Sequence, residues 1–309
     1  MNKYIRVMRF DHWIKQFFIV PGCVCAFFLT ERVTIDWKLF LQFCWGFLGT
    51  CFIASANYTI NEWLDAEFDK FHPTKKNRSV VTEDVKGYII WIMWGMLSIL
   101  GIIFGSFVSV PFVIMQILLW IMGLLYNVKP IRTKDIAILD VLSESINNAI
   151  RLLMGWFIIS SETIPPSSII IGYWMAGAFL MATKRFAEYR MINDAELAGL
   201  YRKSFRFYSE KSLLISAFFY AMSSVFFIGI FLIKYRIELI ILIPFLMGLY
   251  CYYFYISFKE DSAVQKPEKL YHEKGLMAYC LFLVVIFVIL MVVDIPALNI
   301  FVSDRIINF

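Results

Sequence analysis

The feature that most constrains this chain is a succession of long apolar runs, from about residue 17 to about residue 298, each separated from the next by a short polar or charged cluster. Nearly every run is long enough to cross a bilayer as a helix of about 20 residues. In hydrocarbon every backbone N–H and C=O must find a partner inside the protein, so such runs fold as helices. Their hydropathy marks spans at about 17–31, 38–60, 87–106, 110–127, 138–160, 167–188, 212–233, 237–257 and 276–298. Composition agrees: 60% of the 309 residues are hydrophobic and 18% aromatic, with a mean hydropathy of +0.70. The expectation is an all-α polytopic membrane protein with nine transmembrane helices in one domain over residues 1–309. Cys23, Cys25, Cys44, Cys51, Cys251 and Cys280 lie in or beside apolar runs and read as small buried hydrophobes, with neither disulfide nor zinc spacing. A signal peptide is not expected, because no small-residue cleavage site precedes the first run and Arg9, Asp11 and Lys15 press against it.

The positions of the charges give an orientation. Nine spans place the termini on opposite sides. Of the 29 Lys and Arg, 23 fall on the N-terminal side, 5 on the other, and Arg151 lies inside the fifth span. By the positive-inside rule the N-terminus is cytoplasmic and the C-terminus outside. All the candidate chemistry then faces the cytoplasm, and the charge pattern calls for a bilayer and for anionic substrates, not for nucleic acid.

One stretch carries the strongest chemical signal. Asn57, Asn61, Asp65 and Asp69 recur every four residues, with Glu62 on their flank, so on a helix they share a side. Carboxylates held this close repel unless a cation sits among them, and their hard oxygens suit Mg²⁺ bridging to a substrate's phosphates. His72, Lys75, Lys76 and Arg78 follow, as donors for phosphate oxygens. Pro73 biases His72 away from helix, so these donors ride a loop. A plain solvated charge run would not need the four-residue period in its acids.

The sixth span ends in a counterpart, with Lys184, Arg185 and Glu188 together and Arg202, Lys203 and Ser204 in the following loop. Between the two stretches lie Asp140 and, three turns deeper, Arg151. An arginine at membrane depth marks either a functional site or a structural pairing with Glu144, Asn147 or Asn148 on its own helix. Two polar helix ends on one side of a bundle open to lipid fit a diphosphate-bearing substrate held by Mg²⁺ and cations, with an apolar partner entering sideways.

These motifs resemble the UbiA superfamily of intramembrane prenyltransferases, and within it the branch that transfers 5-phosphoribosyl from phosphoribosyl diphosphate (PRPP) to a polyprenyl phosphate, the decaprenyl-phosphate phosphoribosyltransferases. Arg9–Gln16, RFDHWIKQ, is similar to the branch's Arg-x-x-x-Trp-x-Lys-Asn. Asn61–Arg78, NEWLDAEFDKFHPTKKNR, is similar to its acidic run extended by His-Pro-Thr-Lys-x-x-Arg. Asp140, Arg151 and Gly155 match its fifth-helix spacing, and Lys184–Glu188, KRFAE, its Lys-Arg-Tyr-Ala-Glu. Gln16 replaces Asn, Glu62 replaces Asp, Ser79 replaces Pro and Phe186 replaces Tyr.

The resemblance implies a nine-helix bundle with active-site loops on the cytosolic side of a bacterial inner membrane. It implies Mg²⁺, or Mn²⁺, held by Asn61, Glu62, Asp65 and Asp69. PRPP would be bound by Lys75, Arg78, Arg151, Lys184, Arg185, Glu188 and Arg202, with Asp65, Asp69, Asp140 and Lys184 catalytic. Asp140 or Glu188 suits the ribose hydroxyls, and Arg9, His12 and Lys15 the lipid phosphate, unless they are only a juxtamembrane anchor. The acceptor phosphate is ionised near neutral pH and needs no general base. Two alternatives remain: a UbiA-type aromatic prenyltransferase using a prenyl diphosphate, and a transporter. No internal repeat supports the latter. Acceptor chain length and oligomeric state are not legible.

Overall fold

The computed structural model describes residues 3–30, 34–72, 75–83, 85–259, 262–265 and 267–301, all helical or loop. Pro73 and Thr74, expected to break the acidic helix, lie outside the described residues. The long helices among those described are α1 (Val20–Leu29), α2 (Trp37–Asp69), α3 (Gly87–Ser106), α4 (Val110–Asn127), α5 (Leu139–Ile159), α6 (Ser167–Ile192), α7 (Glu210–Tyr235), α8 (Leu242–Ser257) and α9 (Lys274–Val292).

Seven helical stretches among the described residues are long and apolar enough to cross a membrane. The chain is therefore a multi-pass membrane protein. Helices α5 and α6, 21 and 26 residues long, are the two that fail on polarity although their length suffices. They carry Asp140, Glu144 and Arg151, and Lys184, Arg185 and Glu188, so their polar content is the site itself.

One segment differs from the sequence reading. The first span is not an α-helix from 17 to 31. Residues 10–19 form a 3₁₀ turn of helix after Arg9 at φ 54°, and the apolar stretch that could cross begins at Lys3. Helix α2 runs without a break through the acidic stretch to Asp69. Its start is fixed by Asp36, whose side chain accepts from the Leu39 amide at 2.8 Å.

Helices cannot be driven together by the hydrophobic effect within lipid, so close backbone packing does that work. The contact of α1 with α5 shows it. A Cβ added at Gly155 would stand 1.9 Å from the Ile19 carbonyl oxygen, and one at Gly22 equally close to that of Leu152. Glycine at 155 thus lets the N-terminal segment lie on α5, where Gln16 meets Arg151. On α2, the same segment is pinned by Trp13 Nε1, which donates to Ser55 Oγ at 2.9 Å. Helices α5, α6, α7 and α8 share a second core around Phe179, Tyr250, Tyr253 and Ile256.

Candidate active site

The α2 acids do not converge on one point. A step of four residues drifts about 40° around a helix, so the side chains from Asn57 to Asp69 spread over about 120°. Each finds its own partner. Asp69 accepts from Arg78 Nη1 at 2.7 Å. Asp65 accepts from Arg132 Nη2 at 2.9 Å and from the Lys134 ammonium. Glu62 faces Arg9, at 3.6 Å. Asn61 Nδ2 donates to Asn127 Oδ1, and Asn57 Nδ2 to the Leu119 carbonyl at 2.9 Å. Among the described residues no three His, Cys, Asp or Glu gather around a common point. Asn61, Glu62, Asp65 and Asp69, the expected metal donors, thus each face a separate partner in this structure. Glu62 in particular turns away toward the N-terminal segment, since three residues of helix leave it about 60° from Asp65.

The donor chemistry nevertheless fits a hard divalent ion. Asp65 and Asn127 bring a carboxylate and an amide oxygen to one spot, around the Lys134 ammonium, which donates to Asn127 Oδ1 at 2.8 Å, while Asn61 Nδ2 donates to that same Asn127 oxygen. Burial pushes the Lys134 pKa down to about 8, against the pull of Asp65, so it stays cationic at neutral pH. The loop that delivers Arg132 and Lys134 turns at Arg132, φ 36°, and Ile138, φ 71°. A β-branched residue there is an outlier that only tertiary contacts maintain, and the Tyr208 hydroxyl, 2.6 Å from the Ile138 amide, is one of them.

The second group centres on Arg185, which is 1% exposed. Its guanidinium pairs with Asp140 at 3.3 Å, Glu144 at 2.5 Å and Glu188 at 3.0 Å. Asp140 has no exposed surface. Its oxygens are taken by Arg185, by Ser204 Oγ at 3.1 Å and by the Tyr208 hydroxyl at 2.7 Å. In this arrangement Asp140 helps to hold Arg185 in position. Tyr126 OH donates to Glu144 at 2.7 Å and accepts from Arg185 and Arg202. Arg202 also lies 3.7 Å from Asp140.

Lys75 joins the two groups. Its ammonium donates to Glu188 Oε1 at 2.9 Å and to the Tyr201 hydroxyl, whose ring it also overlies. His72 is pressed against the same ring; burial first, then the Lys75 charge, hold its imidazole down at about 3, so it is neutral. At the N-terminal segment, Arg9 and Lys15 both contact the His12 ring, and Arg9 ties that trio to Glu62. Among the described residues neither Lys184 nor Arg151 makes an ion pair. Arg151 is held by neutral partners instead, Gln16 Oε1 at 2.8 Å and Asn148 Oδ1 at 3.4 Å. Asn148 was one of the structural partners foreseen for it, while Glu144 serves Arg185.

Sequence reasoning missed Arg132, Lys134 and Asn127, as well as Tyr126. The loop holding the first two had registered only as a contribution to the charge asymmetry. A cavity of about 600 Å³ shares Asn127 and Arg132 with this site and extends between Trp63, Phe68 and Lys129.

An all-helical bundle with polar, cation-rich helix ends brought together by α2 and α6 defines an intramembrane enzyme-like architecture, and the comparisons give it a family. Residues 19–286 match the UbiA prenyltransferase family, and the chain belongs to that family. A decaprenyl-phosphate phosphoribosyltransferase of Mycolicibacterium smegmatis is 26% identical over 212 residues, 68% of this chain and 63% of that protein; the match spans less than two thirds of that relative. Among solved structures, a UbiA homologue from Archaeoglobus fulgidus bound to GPP and Mg²⁺ superimposes with a TM-score of 0.69 at 19% identity, over 94% of this chain and all of that one. The apo UbiA homologue from Aeropyrum pernix gives 0.61 at 13% identity, over 86% of this chain and 98% of that one. These likenesses establish the fold.

Proposed function

We propose that the chain, as a single catalytic domain, transfers 5-phosphoribosyl from PRPP to a polyprenyl phosphate with release of diphosphate. The observation that carries this reading is the division of the cations into two groups. Arg78, Arg132 and Lys134 lie along α2, and Lys184, Arg185 and Arg202 lie on α6 and the loop after it, with the Lys75–Glu188 pair between them. A prenyl diphosphate carries charge at one end and needs one such group. PRPP carries phosphate at both ends and needs two.

In this scheme the α2 group takes the diphosphate, and Lys184 with its neighbours takes the 5-phosphate. Mg²⁺, held by Asp65 and Asp69 with the amide oxygens of Asn61 and Asn127, would neutralise the leaving diphosphate. An acceptor phosphate oxygen bonds to the anomeric carbon as the bond to diphosphate breaks with its electron pair. Arg9, His12 and Lys15 stand where the N-terminal segment meets the α2 acids, and hold the lipid phosphate. Asp140 or Glu188 is the carboxylate proposed to meet the ribose hydroxyls. Arg151, held by Gln16 and Asn148, is proposed as a further contact to PRPP.

The test is incubation of purified protein with Mg²⁺, radiolabelled PRPP and polyprenyl phosphates of several lengths, followed by lipid extraction. Label in the lipid phase that depends on both substrates supports the reading; none in any combination removes it. The likeness to a homologue solved with GPP favours the second reading, an aromatic prenyltransferase, at the level of fold alone. Nine spans with a cytoplasmic N-terminus in a bacterial inner membrane complete the proposal. A cysteine introduced at Thr163 should then react with an impermeant thiol reagent on intact cells while one at Lys76 does not, and the reverse pattern would invert the topology.

A further inference from the structure

The side chain that neutralises Asp65 most closely is one that no sequence motif pointed to. The Lys134 ammonium, on a residue 3% exposed, is held by Asp65 Oδ1 and Asn127 Oδ1, and the same Asn127 oxygen accepts from Asn61. A carboxylate and an amide oxygen converging on a buried point charge are the donors of a hard-cation site. We propose that Lys134 is a built-in substitute for the metal ion, occupying the cation position between Asp65 and Asn127 until metal arrives with the donor's diphosphate and displaces it.

This rests on the metal-binding part of the reading above and not on the identity of the donor. Two features make Lys134 the member that moves. Its ammonium rides a flexible four-carbon stem, whereas the Arg132 fork is fixed. Arg132 bonds the Asn127 carbonyl at 3.2 Å as well as Asp65, and its guanidinium overlies the Phe68 ring at 4.8 Å. Asp65 therefore keeps one cationic partner throughout. Bare metal must compete with an ammonium already in place, and gains little. Metal entering with a diphosphate offers the displaced ammonium a new anion at once. Asn127 becomes a metal ligand, and Lys134 a diphosphate contact, only in the loaded state. The site thereby favours the metal–diphosphate complex over the metal alone.

Binding of Mn²⁺ to the purified full-length protein, read from the spectrum of free Mn²⁺ by electron paramagnetic resonance, separates the possibilities. Wild type should bind bare Mn²⁺ weakly and tighten strongly when inorganic diphosphate is added. If Lys134 occupies the site nine-tenths of the time or more, Lys134→Gln should bind bare Mn²⁺ about tenfold or more tightly, and gain less from diphosphate. Lys134→Arg, which keeps a cation there, should remain at or below the wild-type affinity for bare Mn²⁺. Lys134→Gln binding bare Mn²⁺ no better than wild type overturns the proposal. Should that variant not fold, Asn127→Ala must weaken Mn²⁺ binding in the presence of diphosphate, and wild-type affinity there overturns it equally. Wild type that binds no Mn²⁺ even with inorganic diphosphate removes the metal reading and this inference together; equal binding by wild type and Lys134→Gln removes only the role of Lys134.

Discussion

The acids of α2 and the acids around Arg185 are both neutralised by the protein, but in opposite ways. Along α2, Glu62, Asp65 and Asp69 are answered by different cations, and Arg78, the partner of Asp69, remains about one-fifth exposed. Around Arg185, one guanidinium answers three carboxylates from two helices, and it is sealed from solvent. The first arrangement can exchange partners pair by pair. The second cannot lose its centre without leaving several buried charges uncompensated. Under the proposed function, the first region is the one that receives metal and diphosphate, and the second is a fixed wall that presents Lys184 and Arg202.

Substitutions should separate the two regions by what they damage. The largest effect is expected from Arg185→Ala, which strands Asp140 and Glu188 in the interior. A buried pair broken in this way costs about 3–5 kcal/mol, so the variant should lose thermal stability in detergent whether or not substrate is present. A melting midpoint equal to wild type would break the contrast from that side. Asp65→Asn and Asp69→Asn should each slow turnover by roughly 10²–10³, since each removes charge stabilisation at the departing diphosphate. Asp69→Asn should leave the midpoint nearly unchanged, because its partner Arg78 is partly exposed, whereas Asp65→Asn takes the carboxylate away from the buried Arg132 and Lys134 and should lower it. Chelator should silence wild type until Mg²⁺ or Mn²⁺ is restored, and full activity in excess chelator would remove the metal. Glu62→Gln should hurt less, because Glu62 faces Arg9. The smallest effect is expected from Lys184→Ala, because Lys184 makes no ion pair among the described residues. It should raise the apparent KM for PRPP more than that for the lipid phosphate, and an unchanged PRPP KM would take Lys184 out of the donor site.

Much of this bundle was legible in the sequence. The spans at 87–106 and 110–127 appear as α3 and α4 with those bounds, because uninterrupted apolar runs leave the backbone one way to satisfy itself. The acidic period correctly marked α2 as a continuous helix into the site. It did not reveal that the acids fan out, since a period of four is not the period of the helix. Arg132 and Lys134 were illegible for another reason. They lie 67 and 69 residues from Asp65, on a short loop whose positive-φ turns fall on an arginine and an isoleucine, with no glycine or asparagine to announce them. The partners of Asp140 were illegible for the same reason, since Ser204 and Tyr208 come from a loop more than 60 residues away.

The two-group arrangement of cations is the claim on which the functional reading depends, and substrate choice tests it most directly. One preparation of the wild-type protein, with Mg²⁺, should be offered PRPP with a polyprenyl phosphate and, in parallel, geranyl or farnesyl diphosphate with 4-hydroxybenzoate. The account predicts ribosyl transfer to the lipid in the first mixture and no prenylated product in the second. Prenylation of 4-hydroxybenzoate at a rate comparable to ribosyl transfer would contradict it.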